Sequence, residues 1–174
     1  MYYNTTGQYN TAIGPESMRG DSTNKHTGEY NTVLGYRTLY SNVDGDRNTA
    51  IGARAQYNYT GGTDNTSVGY YSMYGSKTNS ELTSTNNTAV GSYSLSAIKS
   101  GSDNTSIGYE SLRLNTTGSN NTAIGIKTLR SNTTTSGNTA IGSETLRAAT
   151  GSNNTAIGVN ALRGEESANG TYTG

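Results

Sequence analysis

The side chains most often used in catalysis are few in this chain and form no recognisable constellation. His26 is the only histidine and there is no cysteine, so nucleophilic catalysis has at most one Ser/His candidate. The twelve acidic residues are scattered, without the paired carboxylates of a glycosidase or a cluster of metal ligands. Asp44-Gly45-Asp46 has the start of a calcium loop but lacks the remaining ligands. We therefore expect a non-enzymatic protein with no cofactor and no bound metal.

The composition argues against a conventional thick core. Hydrophobic residues make up 30% of the 174-residue chain, with no Phe or Trp and one Pro, whereas globular domains contain about 45–50% apolar residues. Asn, Thr, Ser, Gly and 14 Tyr suit strands and tight turns instead. The charges of twelve basic and twelve acidic residues cancel, and the absence of a net positive charge predicts no nucleic-acid partner. No apolar run approaches membrane-spanning length and no signal peptide is visible, so we expect no membrane insertion.

A five-residue pattern, Asn-Thr-small-aliphatic-Gly, organises the chain. Most copies are 17 residues apart, and insertions near 24–26 and 79–83 are expected to bulge from one side. This unit is too short for a helix plus a strand, and helical periodicity is absent. We predict an all-β parallel β-solenoid of nine coils at 10–163, preceded by a lead-in at 1–9 and followed by a Gly-rich tail at 164–174. The nine copies begin at Asn10, Asn31, Asn48, Asn65, Asn87, Asn104, Asn121, Asn138 and Asn154.

Each coil is expected to contain two short strands and a closing loop. In the first strand we expect Thr and the aliphatic residue to point inward and Ala outward, because apolar side chains favour the interior. Inward threonines would leave no outward array for binding ice. After the Gly turn, a second strand would carry Leu inward between outward Ser, Thr or Ala and Arg or Tyr. The predicted core ladder is Ile13, Leu34, Ile51, Val68, Val90, Ile107, Ile124, Ile141 and Ile157, together with Leu39, Leu95, Leu112, Leu129, Leu146 and Leu162.

A stripe of tyrosine gives way to a stripe of arginine six residues after the aliphatic position. One interpretation is a contact between subunits, through packing and cation–π interactions. A second is glycan binding on the tyrosine face, and a third is an ordinary solvated surface. The residues we assign to this assembly or ligand face are Tyr40, Tyr57, Tyr74, Arg113, Arg130, Arg147 and Arg163.

The repeat resembles a known group of fibre proteins. Residues 121–134, Asn-Thr-Ala-Ile-Gly-Ile-Lys-Thr-Leu-Arg-Ser-Asn-Thr-Thr, resemble the Asn-Thr-Ala-Ile-Gly repeats of phage tail-fibre and other fibre proteins. They are also similar to the shorter Ala-Ile-Gly repeats in the heads of YadA-like trimeric autotransporter adhesins. The resemblance covers about residues 10–163. It implies a parallel, left-handed β-roll, often trimeric, on an extracellular or virion appendage.

Energetic considerations point toward self-association. Each predicted coil buries only two good apolar side chains, worth about 1.5–3 kcal/mol each, and a thin solenoid leaves strand edges open at both ends. We therefore expect the chain to pair with itself, as an end-to-end polymer or a trimer. The predicted function is a structural protein that forms an extracellular filament or virion appendage. The alternative is a receptor- or glycan-binding adhesin, such as a tail-fibre segment.

Overall fold

The protein is a β-solenoid with one strand for each predicted repeat. The computed structural model describes residues 3–20, 25–75, 82–148, 151–166 and 172–173, and it contains no helix in these ranges. Nine three-residue strands form one parallel sheet in chain order, which confirms the predicted all-β solenoid. The strands are β1 Thr11–Ile13, β2 Thr32–Leu34, β3 Thr49–Ile51, β4 Thr66–Val68, β5 Thr88–Val90, β6 Thr105–Ile107, β7 Thr122–Ile124, β8 Thr139–Ile141 and β9 Thr155–Ile157.

The coils stack with equivalent residues over one another. Between β6 and β7, for example, Thr105 pairs with Thr122 and Ile107 pairs with Ile124. The same register holds across both insertions, because β1 pairs with β2 and β4 with β5 in the same way. The predicted bulges of these insertions fall largely outside the described residues, which omit 21–24 and 76–81.

The prediction that the strand aliphatics point inward is wrong. In β7 the middle residue, Ala123, is fully buried, whereas Ile124 is 36% exposed. The same holds for β6 and β8, where Ser106 and Ala140 are buried. The repeat asparagine two residues earlier is also buried, and alternation along a strand puts these two positions on one face. The side chains that lie outside are Ile13, Leu34, Ile107, Ile124, Ile141 and Ile157, with Ile51, Val68 and Val90 half-buried.

The predicted second strand is replaced by a turn with left-handed residues. In the second coil Arg37 and Leu39 have φ of 52° and 49°, so the alternation of a strand is lost. Thr38, expected to face outward, is therefore buried beside Leu39 and donates a hydrogen bond to the Gly52 carbonyl at 2.6 Å. Gly52 itself has φ of 122°, and a Cβ there would lie 2.6 Å from the Gly69 carbonyl oxygen. Glycine is required because the coils approach backbone to backbone.

The leucine half of the predicted core lies inside, as the sequence predicts. Met18 and Met73 continue the row, and Gln56 occupies its third position. The exception is Leu162 in the last coil, which is 64% exposed, because no further coil covers it among the described residues. The buried leucines are Leu39, Leu95, Leu112, Leu129 and Leu146.

A ladder of buried asparagines runs through the solenoid. The Asn104 backbone N–H and side-chain Nδ2 both donate to Asn87 Oδ1 at 3.0 Å. Asn104 Oδ1 in turn accepts from the N–H and Nδ2 of Asn121 at 3.0 Å, and its Nδ2 also donates to the Gly118 carbonyl at 2.9 Å. Each amide is thereby satisfied in a dry interior, where an unpaired amide would cost about 1–3 kcal/mol.

The segments flanking the repeats have structure of their own. The predicted lead-in is already part of the first coil, because Asn4 forms a parallel bridge with His26. Asn4 also makes the same Asn-to-Gly turn, with Gly7, that Asn42 makes with Gly45. In the predicted tail, β10 Glu165–Glu166 and β11 Tyr172–Thr173 form an antiparallel pair.

Candidate functional site

The outer face of the nine-stranded sheet carries a continuous row of aliphatic side chains. We call it the outer aliphatic row, and it comprises the nine residues that were predicted to fill the core. Ile107, Ile124 and Ile141, the sixth to eighth of its nine members, keep 36–37% of their surface exposed although each is stacked on its neighbours. Exposed apolar rows of this length are uncommon on monomeric proteins and mark interaction surfaces.

A parallel row of threonines lies on the same outer face. Thr105, Thr122 and Thr139 are half-buried beside the isoleucines two residues later. The sequence argument against an ice-binding face relied on inward threonines, and that premise is wrong. The sheet presents a regular Thr–aliphatic array to its surroundings, without a charged side chain on any of the nine strands.

A second surface feature, made mostly of half-buried side chains, runs along the turn side of the coils, and we call it the tyrosine–arginine ridge. It consists of the sixth and ninth residues after each repeat asparagine, and it includes all seven residues of the predicted assembly or ligand face. Its members are Glu16, Arg19, Arg37, Tyr40, Arg54, Tyr57, Tyr71, Tyr74, Tyr93, Ser96, Glu110, Arg113, Lys127, Arg130, Glu144, Arg147, Asn160 and Arg163.

Each glutamate of the ridge is held by two arginines from consecutive coils. Glu110 contacts Arg113 at 2.8 Å and Arg130 at 2.7 Å. Burial opposes the charge on Glu110, but the hydrogen bond from Arg130 and the charge of Arg113 outweigh it and hold the pKa of Glu110 below its usual range. Glu144 pairs in the same way with Arg147 and Arg163. The glutamates thus offset the repulsion expected between stacked arginines.

The same arrangement occurs at the other end of the ridge. Glu16 lies 2.7 Å from Arg37 and 3.5 Å from Arg19. The hydrogen bond from Arg37 is the main reason that the pKa of Glu16 falls below its usual range. The ridge therefore contains the same arrangement three times: two guanidinium groups from neighbouring coils bind one carboxylate.

The centre of the ridge is a stack of tyrosine rings. Tyr57 lies between Tyr40 and Tyr74, with ring centroids 4.9 and 5.3 Å apart. Tyr71 stacks on Tyr74 at 4.6 Å. The spacings from Tyr40 to Tyr57 and from Tyr57 to Tyr74 are close to the roughly 4.8 Å separation of stacked strands, so these three rings follow the solenoid axis. Both faces of Tyr57 are covered by its neighbours, which leaves ring edges for contact with a partner.

Arginine and tyrosine also meet within one chain rather than only between chains. The Arg37 guanidinium lies 5.6 Å from the ring centroid of Tyr40, and that of Arg54 lies 5.8 Å from Tyr57. Arg54 also donates a hydrogen bond to the Tyr71 hydroxyl. A second subunit is therefore not required to bring these residue types together, and the three interpretations of this face stay predictions.

Three buried polar side chains stand out inside the solenoid. Both side-chain polar atoms of Gln56 and the hydroxyl of Ser67 have no hydrogen-bond partner. The equivalent Ser106 is satisfied, because its Oγ lies 2.7 Å from Ser94 Oγ. His26 is fully buried, and desolvation lowers its pKa to about 4. His26 has no acidic or nucleophilic partner recorded among the described residues, so it forms no catalytic dyad there.

The arrangement offers surfaces rather than a reaction centre. Within the described ranges, no group of three or more His, Asp or Glu residues is placed to hold a metal ion. A helix of the length and hydropathy needed to span a bilayer is likewise absent from this part of the chain. Comparisons with family models, with curated proteins and with solved structures found no match to this chain.

Proposed function

We propose that this chain is a non-enzymatic structural protein that assembles with copies of itself into a fibre or filament. The observation that supports the proposal is the outer aliphatic row, which turns one aliphatic side chain per coil away from the interior. Such a row is expected at a surface that another molecule covers, since burial of apolar area is the main favourable term in association. We propose an extracellular or virion appendage as the setting, in line with the resemblance of the repeat.

A second copy of the same chain is the partner that best fits this face. Every coil contributes one threonine and one aliphatic residue, so two such faces have the same repeat along their length. The side chains of one copy can then lie between those of the other over all nine coils. The strands carry no charge on this face, so two identical faces meet without like-charge repulsion.

The ends of the sheet offer a further route to extension. Strands β1 and β9 each have one strand neighbour among the described residues. An edge strand has unpaired backbone groups that can pair with another chain. We propose that copies stack end to end at these edges while the outer aliphatic rows pack side by side, which together would give a fibre.

The Thr–aliphatic array makes ice binding a second candidate for the same face. Self-association is favoured because the aliphatic member is Ile, Leu or Val in every coil, and these large side chains gain most from a dry partner. The two functions differ in a simple measurement. Ice binding by this face would depress the freezing point below the melting point, whereas self-association would form particles larger than 18.2 kDa.

The proposal is tested by changing Ile107, Ile124 and Ile141 together to serine. Fully burying such a side chain is worth about 1.5–3 kcal/mol, and roughly 37% exposure leaves about 0.7 kcal/mol for association. Three residues in each of two copies then contribute about 4 kcal/mol, or roughly a thousandfold in the dissociation constant. Light scattering and electron microscopy of the wild type and the variant measure this difference.

Leu114→Ser provides the matched control. Leu114 belongs to the same coil as Ile107 and is equally exposed, at 38% against 37%, but it lies outside the outer aliphatic row. We expect the control to assemble like the wild type and both proteins to retain the wild-type circular dichroism spectrum. A wild type that stays monomeric at micromolar concentration would refute self-assembly. A triple variant that assembles normally would refute the role of this face.

A further inference from the structure

The tyrosine–arginine ridge carries an excess of positive charge that the rest of the chain offsets. The ridge holds eight of the twelve basic residues but three of the twelve acidic ones, so its net charge is +5 in a chain of net charge zero. The nine coils place this charge along one side of the solenoid, over about 40 Å at the usual strand spacing. A one-sided positive field of this kind attracts an anionic, elongated ligand.

The ridge already shows how it binds an anion. Three times, two guanidinium groups from adjacent coils bind a carboxylate, as Arg113 and Arg130 do with Glu110. Planar guanidinium groups suit carboxylates in this way. Arg54 and Lys127 have no carboxylate within ion-pair distance among the described residues. No carboxylate of the described residues therefore occupies either of these two cations.

The tyrosines between these cations offer a ligand hydroxyl groups rather than free ring faces. Tyr57 is stacked on both sides, so a nucleic-acid base has no ring face to stack on at that position. Their phenol hydroxyls can donate hydrogen bonds, and those of Tyr40 and Tyr71 already accept one each from Arg19 and Arg54. A ligand with many hydroxyl groups and regularly spaced carboxylates would use both the phenols and the guanidinium groups.

We propose that the tyrosine–arginine ridge binds an acidic polysaccharide built of carboxylated sugars. The polymer lies along the solenoid axis, its carboxylates meet Arg54 and Lys127, and its hydroxyls meet the tyrosine edges. This site lies on a different side of the coil from the outer aliphatic row. Binding therefore does not depend on self-assembly, and an assembled fibre would present many copies of the ridge.

The test is calorimetric titration of the full chain with polygalacturonate at low salt. Neutral dextran serves as the uncharged sugar polymer, dextran sulfate as the sulfated one and oligothymidylate as the nucleic acid. The variant Arg54→Gln with Lys127→Gln removes these two cations and keeps the side chains polar. The control variant is Lys99→Gln, which removes one charge at a position outside the ridge. Each protein is checked by circular dichroism before titration.

We expect polygalacturonate to bind, with weaker binding at higher salt because exposed charges are screened. The double variant should bind about tenfold more weakly, and Lys99→Gln should change affinity less than twofold. The triple serine variant of the outer aliphatic row should bind like the wild type, which separates this site from the assembly proposal. The proposal is overturned if dextran binds equally well, or if dextran sulfate or oligothymidylate binds more tightly. Equal binding by the double variant, or an equal loss in Lys99→Gln, would also overturn it.

Discussion

Replacing Gln56 with leucine is expected to stabilise the solenoid. Gln56 occupies the leucine position of the third coil, between Leu39 and Met73, and all three side chains are fully buried. Neither the amide nitrogen nor the amide oxygen of Gln56 has a hydrogen-bond partner. Its backbone N–H still bonds the Ser72 carbonyl at 3.0 Å, so the coil geometry does not depend on the amide. Leucine would fit the row that its neighbours already form.

The expected gain follows from the two unsatisfied groups. A buried polar group without a partner costs about 1–3 kcal/mol, so removing two should add about 3 kcal/mol to the free energy of unfolding. For a chain of this size, 1 kcal/mol corresponds to roughly 2–4 °C in Tm, which gives an increase of about 9 °C. The m-value should stay unchanged, because the folded coils and the surface exposed on unfolding are the same.

Urea denaturation and thermal melting of Gln56→Leu measure this gain directly. Leu112→Gln is the reverse control, since it places an amide in the same row of a regular coil and should destabilise by at least a similar amount. If Gln56→Leu leaves Tm unchanged or lowers it, the amide is satisfied in the folded protein, for example by a buried water. The reasoning from unsatisfied groups would then be wrong.

Two other buried polar groups give predictions of their own. Because His26 is held neutral with a pKa of about 4 against an ordinary 6.5, its contribution to stability is complete above pH 6.5 and is lost as pH falls toward 4. The expected loss in the free energy of unfolding is about 3 kcal/mol. His26→Leu should remove this part of the pH dependence, as measured by urea denaturation at pH 7 and pH 4.5. A variant with the same pH profile as the wild type would contradict this role of His26. Asn104→Asp should cost at least about 3 kcal/mol at pH 7, and more than Asn104→Ala, because it puts a carboxylate against the oxygens of Asn87 and Gly118. Equal urea midpoints for the two variants would refute the repulsion.

The repeat predicts the solenoid because its period sets the coil length and its glycines set the close approach between coils. The 17-residue spacing predicts one coil per repeat, and nine coils form, each with one of the two predicted strands and a turn in place of the second. The leucine row was also predictable, since a large apolar residue recurs five residues after the aliphatic position in most coils. The left-handed residues at Arg37 and Leu39 were not, because neither residue type signals positive φ.

The predicted orientation of the strand is wrong for a physical reason that can be read from the sequence. Hydrophobicity alone places isoleucine inside, but the interior also has to accommodate the side chain of the leucine row and a hydrogen-bonded asparagine. Ala123 leaves room for Leu129, whereas Ile124 in its place would overfill a coil of 17 residues. The signal was the small residue at the middle of every strand, which is Ala or Ser in eight coils and Val in one. A solvent-facing position would not need to be small each time.

The features that build the coil also create the surfaces proposed here for assembly. Alternation along the strand links the two choices, because an inward asparagine and alanine require an outward threonine and isoleucine. The asparagine ladder therefore fixes the outer aliphatic row. Val33 or Ser106 in the interior position leaves the outer residue in place, and a variant with serine in the row would likewise keep the interior. Alternation along each three-residue strand thus links folding to the proposed self-association. Substitutions on the outer face of the strand are the ones that can change association without changing folding.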